Sequence, residues 1–142
     1  MLVDANILLY SVDTASPFHE RSDRWLVEVL NGTRRVAIPW MSLSAFMRIA
    51  TNPRAMQHPL SPAEAWQHID GWLDAPATWI PEPGRGHRAI LRDLMTRLDL
   101  RAGLVTDAVL AAICIEHGLA IASADSDFAR FSELTWINPV AG

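Results

Sequence analysis

The chain alternates short apolar runs with longer segments in which apolar residues recur every three or four positions. Short apolar runs are typical of buried strands, and the longer spacing is typical of amphipathic helices. Strands are predicted at residues 1–3, 36–38, 78–80, 119–122 and 135–138. Helices are predicted at residues 5–12, 17–30, 42–50, 61–73, 86–98, 106–117 and 125–131. This alternation predicts a single α/β domain over residues 1–142, with three layers and a short, mainly parallel central sheet flanked by helices.

Local signals predict the ends of two of these helices. Ser16 and Pro17 are interpreted as the cap and the first helical position of the second helix. Segment 106–117 is nearly all apolar and is followed by Gly118, which predicts a buried helix that ends at this glycine. Asp107 lies in the first turn of that helix.

Composition narrows the chemistry that the chain can perform. It has 142 residues, half of them apolar, and a formal net charge of −4. All 12 basic residues are arginines, which excludes Schiff bases and every other chemistry that needs a lysine ammonium. The single cysteine, Cys114, excludes a disulfide framework and cysteine-ligated zinc. No run approaches the roughly 18 apolar residues of a membrane span, so we expect a soluble, cytoplasmic protein with no membrane partner.

Aspartates stand at or near the ends of the predicted strands. Asp4 ends the first strand, Asp125 and Asp127 follow the fourth, and Asp107 opens the buried helix. Because the carboxyl ends of parallel strands meet at one edge of a sheet, we expect these side chains to lie close together. Taken singly, each aspartate is also explained as a helix cap or a turn residue.

Four carboxylates at one edge need a compensating charge. They repel one another by on the order of several kcal/mol at intermediate dielectric unless a cation joins them. Ligands that are all oxygen atoms favour Mg²⁺ or Mn²⁺ over zinc. Such a metal activates water and neutralises charge in phosphate-ester chemistry, so the pattern indicates phosphodiester hydrolysis.

Five segments resemble motifs of a known family. MLVDANILLY at residues 1–10 resembles the first motif of PIN-domain nucleases, TDA at 106–108 resembles their third, and ASADSDF at 122–128 their closing motif. SPFHER at 16–21 and FMRIATNP at 46–53 are similar to segments of the VapC toxins of bacterial toxin–antitoxin pairs. The order and spacing match across essentially the whole chain. The resemblance is therefore to a PIN-like domain of the VapC type.

The resemblance implies an activity, a cofactor, partners and roles for individual residues. It implies a Mg²⁺-dependent endoribonuclease that acts on RNA, forms a homodimer and is held inactive by a cognate VapB-like antitoxin. Asp4 and Asp107 match direct metal ligands, Asp125 completes the acidic cluster and orients the water, and Asp127 assists directly or through water. Catalysis is thus implied for Asp4, Asp107 and Asp125, and metal binding for these three and Asp127. The polar positions that support these carboxylates are matched by Asn6 and Ser123.

One departure from the family pattern concerns the glutamate of its second motif. This glutamate usually lies on the helix after the second strand, but no acidic residue occurs between Glu28 and Glu64. The departure raises the alternative of a catalytically degenerate PIN module that binds RNA or a partner protein without cleavage. Another Mg²⁺-dependent phosphohydrolase or a phosphoacceptor domain is a third hypothesis, which the lack of lysine disfavours.

Candidate RNA contacts are two arginines and one tryptophan. Arg48 lies on the helix expected to border the acidic edge, and Arg54 follows it in a loop. Guanidinium groups match phosphate oxygens bidentately, whereas the alternative for both residues is a solvated surface position. Trp40, beside Pro39 at a strand end, is a candidate stacking platform for a base. Segment 59–76, with its spaced aromatic residues, is a candidate surface for a dimer or an antitoxin, with core packing as the alternative.

Overall fold

The structure is a computed structural model that describes all residues from Met1 to Gly142. The strands are β1 (Leu2–Val3), β2 (Val36–Ala37), β3 (Thr78–Trp79), β4 (Ile121–Ala122) and β5 (Trp136–Ile137). The α-helices are α1 (Ala5–Val12), α2 (His19–Leu30), α3 (Trp40–Ala50), α4 (Pro62–Asp74), α5 (His87–Arg97) and α6 (Leu104–His117). A short 3₁₀ helix spans Ser126–Arg130. Each predicted strand and helix is thus present, with shifts at the ends.

The five strands form one sheet in the order β3-β2-β1-β4-β5. Every neighbouring pair is parallel. Leu2 of β1 pairs with Ala37 on one side and with Ile121 on the other. The predicted α/β architecture, with a parallel sheet flanked by helices, is confirmed.

The two faces of the sheet pack against different helices. Leu2 and Ile121 belong to a core that they share with side chains of α5 and α6. Val3 and Val36 belong to a second core, together with side chains of α1, α2, α3 and α4. Because successive strand side chains point to opposite faces, even two-residue strands serve both cores and give the fold its three layers. No helix in the structure has the length and apolar character that crossing a membrane requires.

Three helices begin two residues away from the predicted positions. The prediction that Ser16 caps α2 was wrong, because its hydroxyl accepts a hydrogen bond from the Phe18 amide at 3.1 Å and closes a turn instead. Pro17 lies in that turn, and α2 begins two residues later than expected. Helices α3 and α6 begin two residues earlier than expected, at Trp40 and Leu104.

The strand order reverses between β1 and β4. From β1 the chain builds outward through β2 to β3, and it then returns to the other side of β1 to add β4 and β5. Open parallel sheets bind their ligands outside the carboxyl ends of the strands at such a switch point. Asp4 follows β1 directly and Ser123 follows β4 directly, so both lie at this point.

Candidate metal centre

Asp4 joins the end of β1 to the start of α1. As the N-cap of α1, it accepts a hydrogen bond on Oδ1 from the Ala5 amide at 2.7 Å. Its Oδ2 accepts hydrogen bonds from the Ser123 hydroxyl at 2.7 Å and from the Asn6 side-chain amide at 3.4 Å. Burial raises the pKa of Asp4, the hydrogen bonds from Ser123 and Ala5 oppose that rise, and the nearby Asp125 carboxylate adds to it. The carboxylate is therefore held in place from both strands of the switch point.

Ser123 and Asn6 tie the segment after β1 to the segment after β4. The buried Ser123 hydroxyl donates to Asp4 and accepts from Asn6 Nδ2 at 3.1 Å and from the Asp125 amide at 3.0 Å. Asn6 Oδ1 accepts from the Ala124 amide at 3.2 Å. A hydroxyl has one donor and two acceptor sites, so all of those of Ser123 are used. Both residues expected to support the carboxylates thus contact Asp4 and each other.

Asp107, Asp125 and Asp127 come together at the same edge. Asp107 lies in the first turn of α6, and Asp125 caps the 3₁₀ helix by accepting from the Asp127 amide at 2.9 Å. Each of the three aspartates offers one carboxylate oxygen within 4.8 Å of the others. Burial raises the pKa of Asp107 to about 6, with further contributions from the carboxylates of Asp125, Asp4 and Asp127. The edge therefore concentrates negative charge that an added cation would relieve.

The donor atoms of this group fit a hard divalent cation. All three residues are half-buried carboxylates, and no histidine or cysteine joins them. Mg²⁺ takes oxygen ligands and keeps several of its waters, so a few carboxylates suffice. Asp4 lies outside the group of three, and both of its oxygens already accept hydrogen bonds from the protein. Three of the four expected ligands are thus within reach of one ion.

Arg130 belongs to the site although the sequence analysis did not identify it. Its Nη2 donates to Asp127 Oδ1 at 3.0 Å, and its Nε donates to the Asp127 carbonyl oxygen at 3.0 Å. The two side chains are separated by three positions and are partly exposed, so the pair contributes little to stability. It occupies one oxygen of Asp127 and leaves the other for a ligand. The three-residue spacing was the available signal in the sequence.

The face of α3 that borders the acidic edge carries no carboxylate. A shallow depression of about 340 Å³ is lined by Met41, Ser44, Ala45, Arg48 and Thr106. The four α3 positions have the spacing of one helix face, and Thr106 immediately precedes Asp107. The intervening residues Ser42, Leu43 and Phe46 are buried in the core. Ser44 and Ala45 are therefore the positions from which a glutamate on α3 would reach the acidic edge.

The two arginines expected to contact RNA occupy different places. Arg48 lines the depression beside the acidic edge. Arg54 is exposed in the turn after α3 and is not part of that lining. Its backbone amide donates to Asn52 Oδ1 at 2.9 Å, which fixes the turn rather than the side chain. The structure thus places Arg48, and not Arg54, in the depression that Thr106 also lines.

Comparison with known proteins places this site in a family. The sequence model of the PIN domain matches residues 1–134. The chain is 42% identical over 140 residues to Ribonuclease VapC37 of Mycobacterium tuberculosis, a match that covers 99% of this chain and 97% of the relative. It is 37% identical over 140 residues to Ribonuclease VapC33 of the same organism, with 99% of this chain and 98% of the relative covered.

The fold is similar to that of a solved structure despite low sequence identity. That structure is VapBC2 from Rickettsia felis bound to a DNA fragment from their promoter. The TM-score is 0.70 at 15% sequence identity, and 96% of each chain is covered. The family match, the VapC relatives and the acidic edge agree with one another, and the chain belongs to the PIN-domain family, within which its relatives are VapC proteins.

Proposed function

We propose that the protein is a Mg²⁺-dependent endoribonuclease and the toxin of a VapBC-type toxin–antitoxin pair, built as a single domain over residues 1–142. The observation that carries the proposal is the convergence of Asp107, Asp125 and Asp127 at one edge of the sheet, with Asp4 fixed beside them. Two relatives that match nearly the whole chain are named ribonucleases. An all-carboxylate edge at a topological switch point suits metal-dependent hydrolysis of a phosphodiester.

The side chains of the acidic edge have different proposed roles. A Mg²⁺ ion bound there supplies Lewis acidity and a water of lowered pKa, and Mn²⁺ suits the same oxygens. We assign Asp107, Asp125 and Asp127 to holding the ion, with Asp4 as the fourth carboxylate of the catalytic set. We further assign Asp125 to orienting the attacking water. Ser123 and Asn6 keep the Asp4 carboxylate in one orientation through the hydrogen bonds described above.

Arg48 is the proposed contact to the RNA backbone. It is exposed, it makes no ion pair within the chain, and it lines the depression that adjoins Asp107. A guanidinium offers a planar fork that matches two phosphate oxygens, so Arg48 would hold the strand beside the carboxylates. Arg54 would contact RNA farther along the strand. With a net charge of −4, the chain depends on such local positive groups for binding.

Two protein partners complete the proposal. The fold is similar to that of VapBC2, and we propose a VapB-like antitoxin as a partner of this chain. We also propose a homodimer and a cytoplasmic location, where RNA and antitoxin are both present. In α4, Trp66 is 42% exposed whereas Trp72 is buried. Trp66 thus offers an aromatic surface for one of these partners, within the segment 59–76 that the sequence singled out.

The direct test is cleavage of total cellular RNA by the purified, antitoxin-free protein with Mg²⁺, with Mn²⁺ or with EDTA. We expect discrete fragments that form only when metal is present. We also expect Asp4→Asn to lower the cleavage rate by more than about 100-fold, because losing a carboxylate of the catalytic set should cost more than the roughly 10–100-fold lost when a group that only supports a metal ligand is removed. Asparagine is as good an N-cap as aspartate, so α1 stays intact. Asp70→Asn, on the exposed surface of α4, is the matched control and is expected to cleave normally.

A second candidate function is a PIN module that binds RNA or a partner without cutting. The observation that favours it is the lack of a carboxylate on the α3 face, where Ser44 and Ala45 stand. Folded protein that binds RNA but gives no fragments with either metal would establish this function and refute the nuclease. Undiminished growth arrest by an Asp4→Ala, Asp107→Ala double variant would point the same way.

A further inference from the structure

A second cavity lies next to the acidic edge and has a different character. It has a volume of about 460 Å³ and lies between the start of α3, the segment Pro81–Pro83 after β3, and α6. Its walls include Trp40 and Met41 from α3, and Val109 and Ile113 from α6. Trp40 is 45% exposed and is the most exposed tryptophan of the chain. We call this cavity the Trp40 groove.

The Trp40 groove is continuous with the depression beside the acidic edge. Met41 lines both of them. On α6, Thr106 lines the depression while Val109 and Ile113 line the groove, and these three positions share one helix face. At about 1.5 Å of rise per residue, Val109 and Ile113 lie about 3–9 Å along α6 from Asp107. The groove therefore begins within reach of a nucleotide whose phosphate lies at the carboxylates.

Hydrogen bonds to α6 anchor the segment after β3 that forms part of the groove wall. The Glu116 carboxylate accepts hydrogen bonds from the amides of Gly84 at 2.7 Å and Gly86 at 2.8 Å. These hydrogen bonds lower the pKa of Glu116, and the carboxylate is charged at neutral pH. We call the carboxylate together with the two amides the Glu116 clamp. The His117 ring lies 2.8 Å from the Glu82 carbonyl oxygen. A Cβ at position 84 would lie 2.8 Å from Glu116 Oε2, so the glycine permits the close approach.

The lining of the groove selects the kind of group that it can hold. It combines an aromatic ring, three prolines and three aliphatic side chains with one acidic residue, Glu82. No basic residue lines it, and the Glu82 carboxylate repels phosphate. An aromatic face in an apolar cleft of this size suits a flat, uncharged ring.

We propose that the Trp40 groove is a subsite for one unpaired base of the RNA, adjacent to the phosphate at the acidic edge. The inference rests on the proposed function and deepens it, since it assigns Trp40 as the residue on which a base of the RNA stacks. Arg48 and the carboxylates hold the backbone in the depression, and the base turns into the groove past Met41. The rigid wall of Pro81–Pro83 keeps the groove open before RNA arrives, which lowers the entropic cost of binding.

The test measures RNA binding without cleavage. Fluorescein-labelled rA6, rC6 and rU6 are titrated with the full-length protein in EDTA and followed by anisotropy. Stacking of one base on an aromatic ring predicts that Trp40→Ala weakens binding by about five-fold or more, and that Trp40→Phe retains most of the affinity. Phe18→Ala is the matched control, because Phe18 is an aromatic residue that is 39% exposed and is not part of the groove lining. It is expected to bind as the unsubstituted protein does.

Other results would overturn the proposal. Equal binding by Trp40→Ala and Phe18→Ala, or no binding of any hexanucleotide by the unsubstituted protein, refutes the base subsite. Sedimentation of the same variants addresses a second copy of the chain as the occupant. If Trp40→Ala turns a dimer into a monomer while the RNA affinity of each chain is unchanged, the groove is a self-interface. Trp40-dependent binding by a protein that never cuts RNA would instead support the subsite and refute the proposed nuclease.

Discussion

The carboxyl edge of the sheet has two halves that differ in kind. At the switch point between β1 and β4, the residues that follow the strands are polar and acidic, among them Asp4 and Asp125. Beyond β2 and β3, the corresponding segments carry Trp40 and Pro81 and line an apolar groove. The strand residues are apolar in both halves, except for Thr78 in β3. The chemistry of each half is therefore decided by the first few residues after the strands.

The two halves also differ in how their functional groups are held. In the acidic half, side chains fix one another, as when the Ser123 hydroxyl contacts Asp4. In the apolar half, Glu116 binds backbone amides, so the shape of a loop is fixed and not the orientation of a side chain. The acidic half should therefore respond to the loss of a single hydroxyl. The apolar half should respond to changes of size.

Removing the Ser123 hydroxyl is expected to have the largest effect among the substitutions that test this contrast. Ser123→Ala frees Asp4 Oδ2 to rotate and leaves the Asp125 amide without its partner, so we expect Mg²⁺ affinity to fall by about 10–100-fold. Calorimetric titration with Mg²⁺ measures the change. Ser22→Ala is the control, because Ser22 is equally buried and bonds only the Ile7 carbonyl in the core. Equal metal affinity in the two variants would show that Ser123 has no special role.

Adding a carboxylate to α3 would give the face of this helix beside the acidic edge an acidic group of its own. Ala45 is half-buried in the depression beside Thr106, so Ala45→Glu brings a further carboxylate toward Asp107. We expect Mg²⁺ to bind about ten-fold more tightly, because affinity rises with the number of charged ligands. Ala45→Gln is the size-matched neutral control in the same titration. If glutamine and glutamate raise the affinity equally, charge is not the cause.

The charge of the acidic half should also appear as a small pH dependence of stability. The folded-state pKa of Asp107 is about 6, above the ordinary value of 3.8, so the folded protein binds this proton more tightly than the unfolded chain. The Tm of the metal-free protein should therefore fall by roughly 2–4 °C as pH rises from about 4 through 6. Thermal unfolding in EDTA at pH 5 and 7.5 measures this difference.

Asp107→Asn is the comparison for the pH experiment. It removes the titrating group, and its Tm should change less between the two pH values than that of the unsubstituted protein. Mg²⁺ should raise the Tm of the unsubstituted protein more at pH 7.5 than at pH 5, since metal and proton compete for the carboxylates. Identical pH profiles for the two proteins would remove Asp107 as the source.

The sequence was sufficient to predict the elements of the fold but not their arrangement. Short, mainly apolar runs marked the strands: β1, β2 and β4 are fully buried, whereas β3 and β5, at the two edges of the sheet, are partly buried. The order β3-β2-β1-β4-β5 depends on packing between distant segments, on which local patterns carry no information. Ser16 was misassigned for a related reason, since a serine caps a helix or closes a turn with the same hydrogen bond to a following amide.

At the site, the sequence indicated which side chains come together, but it did not indicate all of the groups to which they are hydrogen-bonded. The grouping of Asp107, Asp125 and Asp127 followed from the rule that carboxyl ends of parallel strands converge. Asp4 was expected in the same group, and only the structure shows that it lies outside the group of three with both of its oxygens bonded to the protein. The same holds for the Arg130 pair with Asp127 and for the Glu116 clamp, which joins residues 30 and 32 positions apart.

The hydrogen bond between Asp4 and Ser123 has a consequence for biosynthesis. It joins residues 119 positions apart, and β1 pairs with β4 across the same interval. Ribosomes add about 5–20 residues per second from the N-terminus, so a growing chain gains Ser123 only 119 residues after Asp4. A nascent chain that has not yet reached Ser123 therefore lacks the assembled acidic edge. The proposed nuclease activity would arise only after the segment that follows β4 has been made.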